Sequence, residues 1–189
     1  MTTLPKARKR TAADAAPTGS AAGPLRRLVA FRVAGTRFAL PLAEAVEIIR
    51  RPDVVRIPLS PPSLEGLARR RGAVLPVISL RRILGHADPT ADPKDAGRVV
   101  IVDHRGQPVG LAVDRVEGML AVEASRIDAS APDDKAPDVD AALLAGAVRD
   151  AEGGVAALLL AAGPLIERQF EDLARPSPPA AAGLLDAGG

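Results

Sequence analysis

The chain has no cysteine, tryptophan or tyrosine, and only three phenylalanines and two histidines among its 189 residues. Without cysteine there is no disulfide, no thiolate metal site and no cysteine nucleophile, a composition in keeping with a reducing compartment, so the expected location is the cytoplasm. With aromatics at 2 %, the stacking platform on which small β-barrels hold single-stranded nucleic acid is missing. A net charge of +2 supplies no broad basic field either. A small β-barrel nucleic-acid-binding protein is therefore the weaker alternative, and the basic run at residues 6–10 reads as a solvated tail. No uncharged apolar run approaches the ~20 residues that span a bilayer. The basic N-terminal residues are followed by no apolar stretch of the signal-peptide kind.

Catalytic signatures are missing as well. There is no GxxxxGK phosphate loop, no GxGxxG, no HExxH and no serine in a nucleophile elbow. His86 and His104 sit at a loop and a turn without metal-ligand spacing. Asp103 and Asp114 each end an expected strand, where a carboxylate more often caps a turn than catalyses. These absences point to a non-enzymatic chain with no cofactor and no metal.

What is present is a run of short strands. At 47 % hydrophobic and 25 % charged residues the chain can bury the core of one domain or two small ones. Residues 1–24 and 175–189 are too poor in large apolar groups to offset the entropy of ordering them, and are expected to be disordered tails. Residues 28–33 and 38–42 flank the turn AGTR and read as a hairpin; residues 46–58 continue in extended form. Residues 98–103 and 108–114 form a second hairpin across HRGQ, followed by a strand at 116–123. A last hairpin joins LLAGAVRD to VAALLLA across AEGG. Gly35 is followed by FALPL and then VEI, and Gly106 by VGLAV and then VEG, an echo consistent with two related sub-barrels. A closing helix starts at Pro164 and presents Leu165, Ile166, Phe170 and Leu173 on one face, which is expected to pack on the barrels.

The most informative stretch is GLARRRGAVLPVISL, residues 66–80, where three arginines run into a glycine and then an almost unbroken apolar strand. Apolar residues on both faces of 73–80 imply burial on both sides, with Pro76 at an edge or bulge. Residues 81–85 read as one helical turn ended by Gly85. Charge beside core with no catalytic residue nearby suits a surface that positions a partner.

Taken in order, these motifs resemble the CheW-like domain family of bacterial chemotaxis coupling proteins. The match runs over roughly residues 26–172: FRVAGTRFALPL, AVEII with Glu47, Gly66 followed by Arg71, Gly72 and Pro76, VVIVD, VGLAVD ending at Asp114, and LLAGAV around Gly146. The resemblance implies a mainly β fold over residues 25–174, two five-stranded Src-homology-3-like β-barrel subdomains sharing a hydrophobic interface, with a short C-terminal helix. It implies an adaptor that couples the cytoplasmic tip of methyl-accepting chemotaxis receptors to the regulatory domain of the histidine kinase CheA, recruited to membrane-associated arrays. The absence of a kinase nucleotide-binding pattern, and of room for a receiver, favours a lone adaptor over CheA or CheV.

Carried over by motif, Ala45, Val46 and Glu47 lie in the receptor-facing segment, with Gly66 and Arg71 near it. An arginine at the end of a buried strand can pair with a carboxylate and still present donors to a helix, so Arg71 is expected to pair with Glu47. Arg69 and Arg70 stand where the family commonly has Asn-Leu, and Ser79 stands where it has aspartate. The two arginines are expected to form a solvated rim, contributing ~0–1 kcal/mol.

Overall fold

Three hairpins turn on the same two-residue device. Ala34–Gly35, Arg71–Gly72 and Arg105–Gly106 all have positive φ (+49/+83, +48/+84 and +54/+81°), as tight turns of the I′ kind require for their twist to match the strands they join. They link β1 (Leu25–Val33) to β2 (Thr36–Pro41), β4 (Leu64–Arg70) to β5 (Ala73–Ser79), and β6 (Arg98–His104) to β7 (Gln107–Val113). A fourth hairpin, β10 (Leu144–Arg149) to β11 (Val155–Leu160), is held by Asp150 Oδ1 accepting from the Gly154 N–H at 2.6 Å. The remaining strands are β3 (Ala45–Arg50), β8 (Arg115–Glu123) and the two-residue β9 (Ile127–Asp128); the helices are α1 (Leu80–Ile83) and α2 (Ala162–Ala174). The computed structural model describes residues 23–87, 97–130 and 139–174, with side chains to 170. Apart from Gly23 and Pro24, the expected tails lie outside the described residues, as do most of the polar loops at 86–97 and 129–140.

Two sheets result, one ordered β8-β1-β2-β11-β10-β9 and the other β3-β6-β7-β5-β4. Setting β9 aside, the two orders correspond position for position. In each, a hairpin (β1–β2 or β6–β7) is joined by a second hairpin whose last strand lies parallel to the first hairpin's second strand: β11 on β2, β5 on β7. The outer strand is exchanged: β3 leaves the first hairpin to pair antiparallel with β6, and β8 leaves the second to pair antiparallel with β1. The sequence echo therefore marks two related barrels, interleaved along the chain. Their register differs from the echo by one residue. The bulges fall at Val46 and Glu117, which makes Val46 equivalent to Glu117 and Ile48 to Met119.

Each central strand is buried on both faces. One face contributes to a core between the sheets, with Val29, Phe31, Phe38 and Leu40 from the first sheet against Val100, Val102, Val109 and Leu111 from the second. Phe31 and Phe38 stack there, ring centroids 6.4 Å apart. The other face fills each barrel: Leu75, Val77, Val99 and Ile101 in one, Leu28, Ala39, Val148 and Leu159 in the other. From α2, Leu165 and Ile166 enter the shared core. The Gln169 side chain, also buried, accepts a hydrogen bond from Ser63.

The structure departs from the sequence reading in four places. β4 was not expected as a strand at all; it forms because Leu64, Glu65 and Ala68 are buried while it pairs with β5 along its length. Burial of residues 73–80 on both faces holds only from Leu75, since Ala73 and Val74 flank the turn and β7 pairs with β5 only from Val77. Pro76 sits in a strand flanked on both sides, but just ahead of that parallel ladder, where its missing N–H interrupts nothing on the β7 side. Phe170, expected to pack on the barrels, is 40 % exposed.

Each barrel closes at a glycine. A Cβ on Gly66 (φ +149°) would lie 2.4 Å from the Val55 carbonyl oxygen, and one on Gly146 (φ +139°) 2.2 Å from that of Asp128. Both positions combine a backbone conformation disfavoured for side-chain-bearing residues with a backbone contact that cannot yield cheaply. Gly66→Ala and Gly146→Ala should each cost about 3 kcal/mol, a fall in Tm on the order of 10 °C in thermal melts. Gly35→Ala, with nothing within 4 Å of the added Cβ, should cost about 1 kcal/mol.

Candidate functional site

β3 is an outer strand of the five-stranded sheet, and its side chains alternate between half-buried and exposed. Ile49 packs on the barrel core and Ala45 against the shared core. Val46, the bulged residue, is 65 % exposed and Ile48 42 %. The chain then runs back along β4: the Val55 N–H donates to the Leu67 carbonyl at 2.8 Å and the Leu67 N–H returns a bond to Val55 at 2.9 Å. Arg51 forms an ion pair with the buried Glu65 alongside. This connector exposes Val55, Ile57 and Leu59, the last at φ +62° and 94 % exposed. A leucine in the left-handed region with its side chain in water is uncommon and costly. With Val46 and Ile48 these are the exposed large apolar side chains of β3 and the connector that follows it.

Glu47 points the other way, toward the tip of the β4–β5 hairpin. Its Oε1 is bound by Arg70 Nη2, and Arg71 Nη2 lies 3.4 Å from the same oxygen. The expected Arg71–Glu47 contact exists, but the closer partner is Arg70, which the sequence reading assigned to a solvated rim. Arg70 is the last residue of β4, whereas Arg71 already belongs to the turn; their side chains are 38 % and 77 % exposed. Arg69 is exposed and makes no ion pair among the described residues. Of the other expected site residues, Gly66 acts through its backbone, admitting the Val55 carbonyl, and Ala45 is partly buried.

Glu117 was missed, although it stands in the VEG half of the echo. At the β8 bulge its carboxylate meets Arg32 Nε at 2.5 Å, Arg37 Nε at 2.6 Å and Arg115 Nη2 at 3.3 Å, which leaves its side chain 17 % exposed. The hydrogen bond from Arg32, with the charges of Arg37 and Arg32 and a bond from Arg115, holds its carboxyl below the ordinary 4.5 despite an opposing contribution from burial. Where β3 presents the apolar Val46, its counterpart strand thus presents a carboxylate tied down by three arginines. The remaining polar candidates are structural. Asp103 accepts from the Gly106 N–H at 3.0 Å in its turn. Asp114 binds Arg81 and accepts from the Ala34 N–H at 2.8 Å, fastening the two barrels where the chain crosses between them. Ser79 caps α1, its Oγ facing the Arg82 N–H at 3.4 Å, a task that serine and aspartate share. Among the described residues no cluster of His, Cys, Asp and Glu could hold a metal ion.

A profile of the CheW-like domain matches residues 27–169. The chain belongs to the CheW-like domain family. Within it, the chain is 30 % identical to the chemotaxis protein CheW of Bacillus subtilis over 117 residues, 62 % of this chain and 73 % of that one. It is 32 % identical to the protein PilI of Pseudomonas aeruginosa over 48 % of this chain and 50 % of the relative. The scaffolding protein TtCheW from Thermoanaerobacter tengcongensis superposes with a TM-score of 0.65 at 25 % identity, covering 75 % of this chain and 92 % of that structure. The CheW-like fold is thus shown for both barrels, in agreement with the expected pair of Src-homology-3-like subdomains.

The Glu117 cluster has a definite acid response. Because its folded pKa is lowered, its contribution is complete above the unfolded value and disappears as pH falls through the folded one. Glu117→Gln should lower Tm at neutral pH, and the gap to wild type should close as pH falls below the ordinary 4.5 and through the lowered folded value. A gap that stays constant across that range would show that the carboxylate's charge contributes nothing.

Proposed function

We propose that this CheW-family chain is a non-catalytic scaffold that holds the cytoplasmic tip of chemotaxis receptors and the regulatory domain of a CheA-type histidine kinase in one assembly at the membrane-associated receptor array. Membership of the family supports the scaffold class. The observation that carries the location of the docking face is the series of exposed apolar side chains on β3 and the connector after it, Val46, Ile48, Val55, Ile57 and Leu59, whereas a bound carboxylate occupies the position equivalent to Val46 on β8. Apolar side chains left in water in such a row suit a receptor helix, which can lay an apolar stripe over them. Ala45, Val46, Glu47, Gly66 and Arg71 form or support this face. No helix among the described residues is long and apolar enough to cross a membrane.

Affinity capture from extract at moderate salt should retain a histidine kinase and receptors; salt-sensitive nucleic acid in their place would replace the scaffold reading with the nucleic-acid one. With purified receptor fragment, Val46→Asp and Ile48→Asp should each weaken binding by about tenfold or more at unchanged Tm, because both side chains are already exposed and only the complex buries them.

A further inference from the structure

The two barrels share a strand order but differ at one mouth. In the barrel of the five-stranded sheet, Arg51 lies across the opening. Its Cδ and Nη1 are 3.6 and 3.7 Å from where a Cβ on Gly97 would stand, the Val113 carbonyl oxygen is 3.6 Å from the same point, and its guanidinium is tied to the buried Glu65. The strand registers make Arg26 the counterpart of Gly97, Leu42 of Val113 and Val122 of Arg51. Through the closing glycines, Ala145 is the counterpart of Glu65. The other barrel therefore has neither half of this stopper. A cavity of about 570 Å³ lies at its mouth, within the range of small-ligand pockets and at a place where barrels hold them. Leu28 and Leu159, both buried, form its inner end, with Leu42 and Ile127 beside them. Its rim is fixed by backbone hydrogen bonds, the Leu42 N–H donating to the Arg27 carbonyl at 2.9 Å and the Ala124 N–H to that of Pro24 at 3.0 Å. Leu25, also on the rim, is 64 % exposed. Arg26 and Arg27 line the cavity too, no lining residue is acidic, and neither guanidinium has an ion pair or side-chain hydrogen bond among the described residues.

The geometry points to a ligand site at this mouth for a small amphipathic carboxylate, a medium-chain fatty acid. Its chain lies against Leu28, Leu159 and Ile127 and covers Leu25, and its carboxylate is held at the rim by Arg26 and Arg27. An apolar hollow edged by two uncommitted cations matches such a molecule in both shape and charge, and guanidinium groups bind a carboxylate through charge-assisted hydrogen bonds. The site does not rest on the docking reading above.

The test titrates the full chain with decanoate, below its micellar concentration, and with decanol, by calorimetry and by chemical-shift mapping. Wild type should bind one decanoate per chain, shift the resonances of Leu28, Ile127 and Leu159, and bind decanol about tenfold more weakly. Arg26→Gln with Arg27→Gln, both at exposed positions, should keep its Tm, bind decanoate no better than decanol, and leave decanol affinity unchanged. Val122→Arg with Ala145→Glu, which installs the other barrel's stopper, should abolish binding of both. Ala43→Trp, which fills the mouth from an exposed lining position, should do the same whether or not the stopper variant folds. No saturable decanoate binding by wild type, or binding unchanged in Ala43→Trp, would overturn the site. Decanol binding as tightly as decanoate, or arginine substitutions without effect on decanoate, would overturn its selection of a carboxylate. If wild type bound no decanoate while Ala43→Trp weakened binding to purified receptor fragment or kinase regulatory domain, the cavity would be a protein contact and the ligand site would be overturned.

Discussion

The apolar layer between the two sheets is the constraint under which the other parts are arranged. Phe31 and Phe38, two of only three phenylalanines in the chain, stack at its centre, and strands from both sheets face it. Burying a side chain of this size contributes roughly 1.5–3 kcal/mol, so the layer outweighs any single polar contact. Its demand on the sequence is severe. A strand that serves the shared layer with one face must fill its own barrel with the other, and alternate residues have to be apolar on both. The barrel interiors are narrow, and small residues meet that limit: Ala30, Ala39, Ala112 and Ala157 are all buried. With so much of the chain committed to packing, side chains free to meet another protein are left at the outer strands and turns.

That commitment explains what could be read from the sequence. Two hairpins announced themselves through the glycines at 35 and 106, and apolar runs in 28–33, 98–103 and 108–114 have no other satisfactory place. β4 stayed hidden because LEGLARR carries charge at both ends and a glycine inside; what makes it a strand is the long-range pairing with β5 and the closure against Val55, and neither leaves a local trace. β9, two residues long, is the same case in the other barrel.

Losing β4 also misplaced the arginines. Which of three consecutive arginines faces Glu47 depends on where the strand ends and the turn begins, and that boundary is set by the pairing of Arg70 with Ala73. The Arg71–Glu47 pair expected from the sequence exists, yet Arg70 makes the closer contact. In the same way, the repeated Val-Glu pair suggested equivalent glutamates, whereas the bulges displace the two strands by one residue. Glu47 is a bridge between an outer strand and a hairpin tip; Glu117 is a local knot that removes charge from its own strand. Similar letters in equivalent regions thus carry different physical duties.

The exchange of β3 and β8 between the sheets has a consequence for how the protein is made. The first sheet takes its first two strands from the start of the chain and the rest from its second half, so β1 and β2 leave the ribosome long before β8 and β11 exist to cover their edges. The second sheet can assemble in the meantime, but the half-built first sheet waits with open hydrogen-bonding edges until translation is nearly finished. Pairings this distant in sequence are slow to form and exposed to aggregation while they wait. A chaperone that shields the nascent β1–β2 hairpin would therefore raise the yield of folded protein, and cutting the gene at its midpoint would give two fragments, neither of which holds a complete sheet.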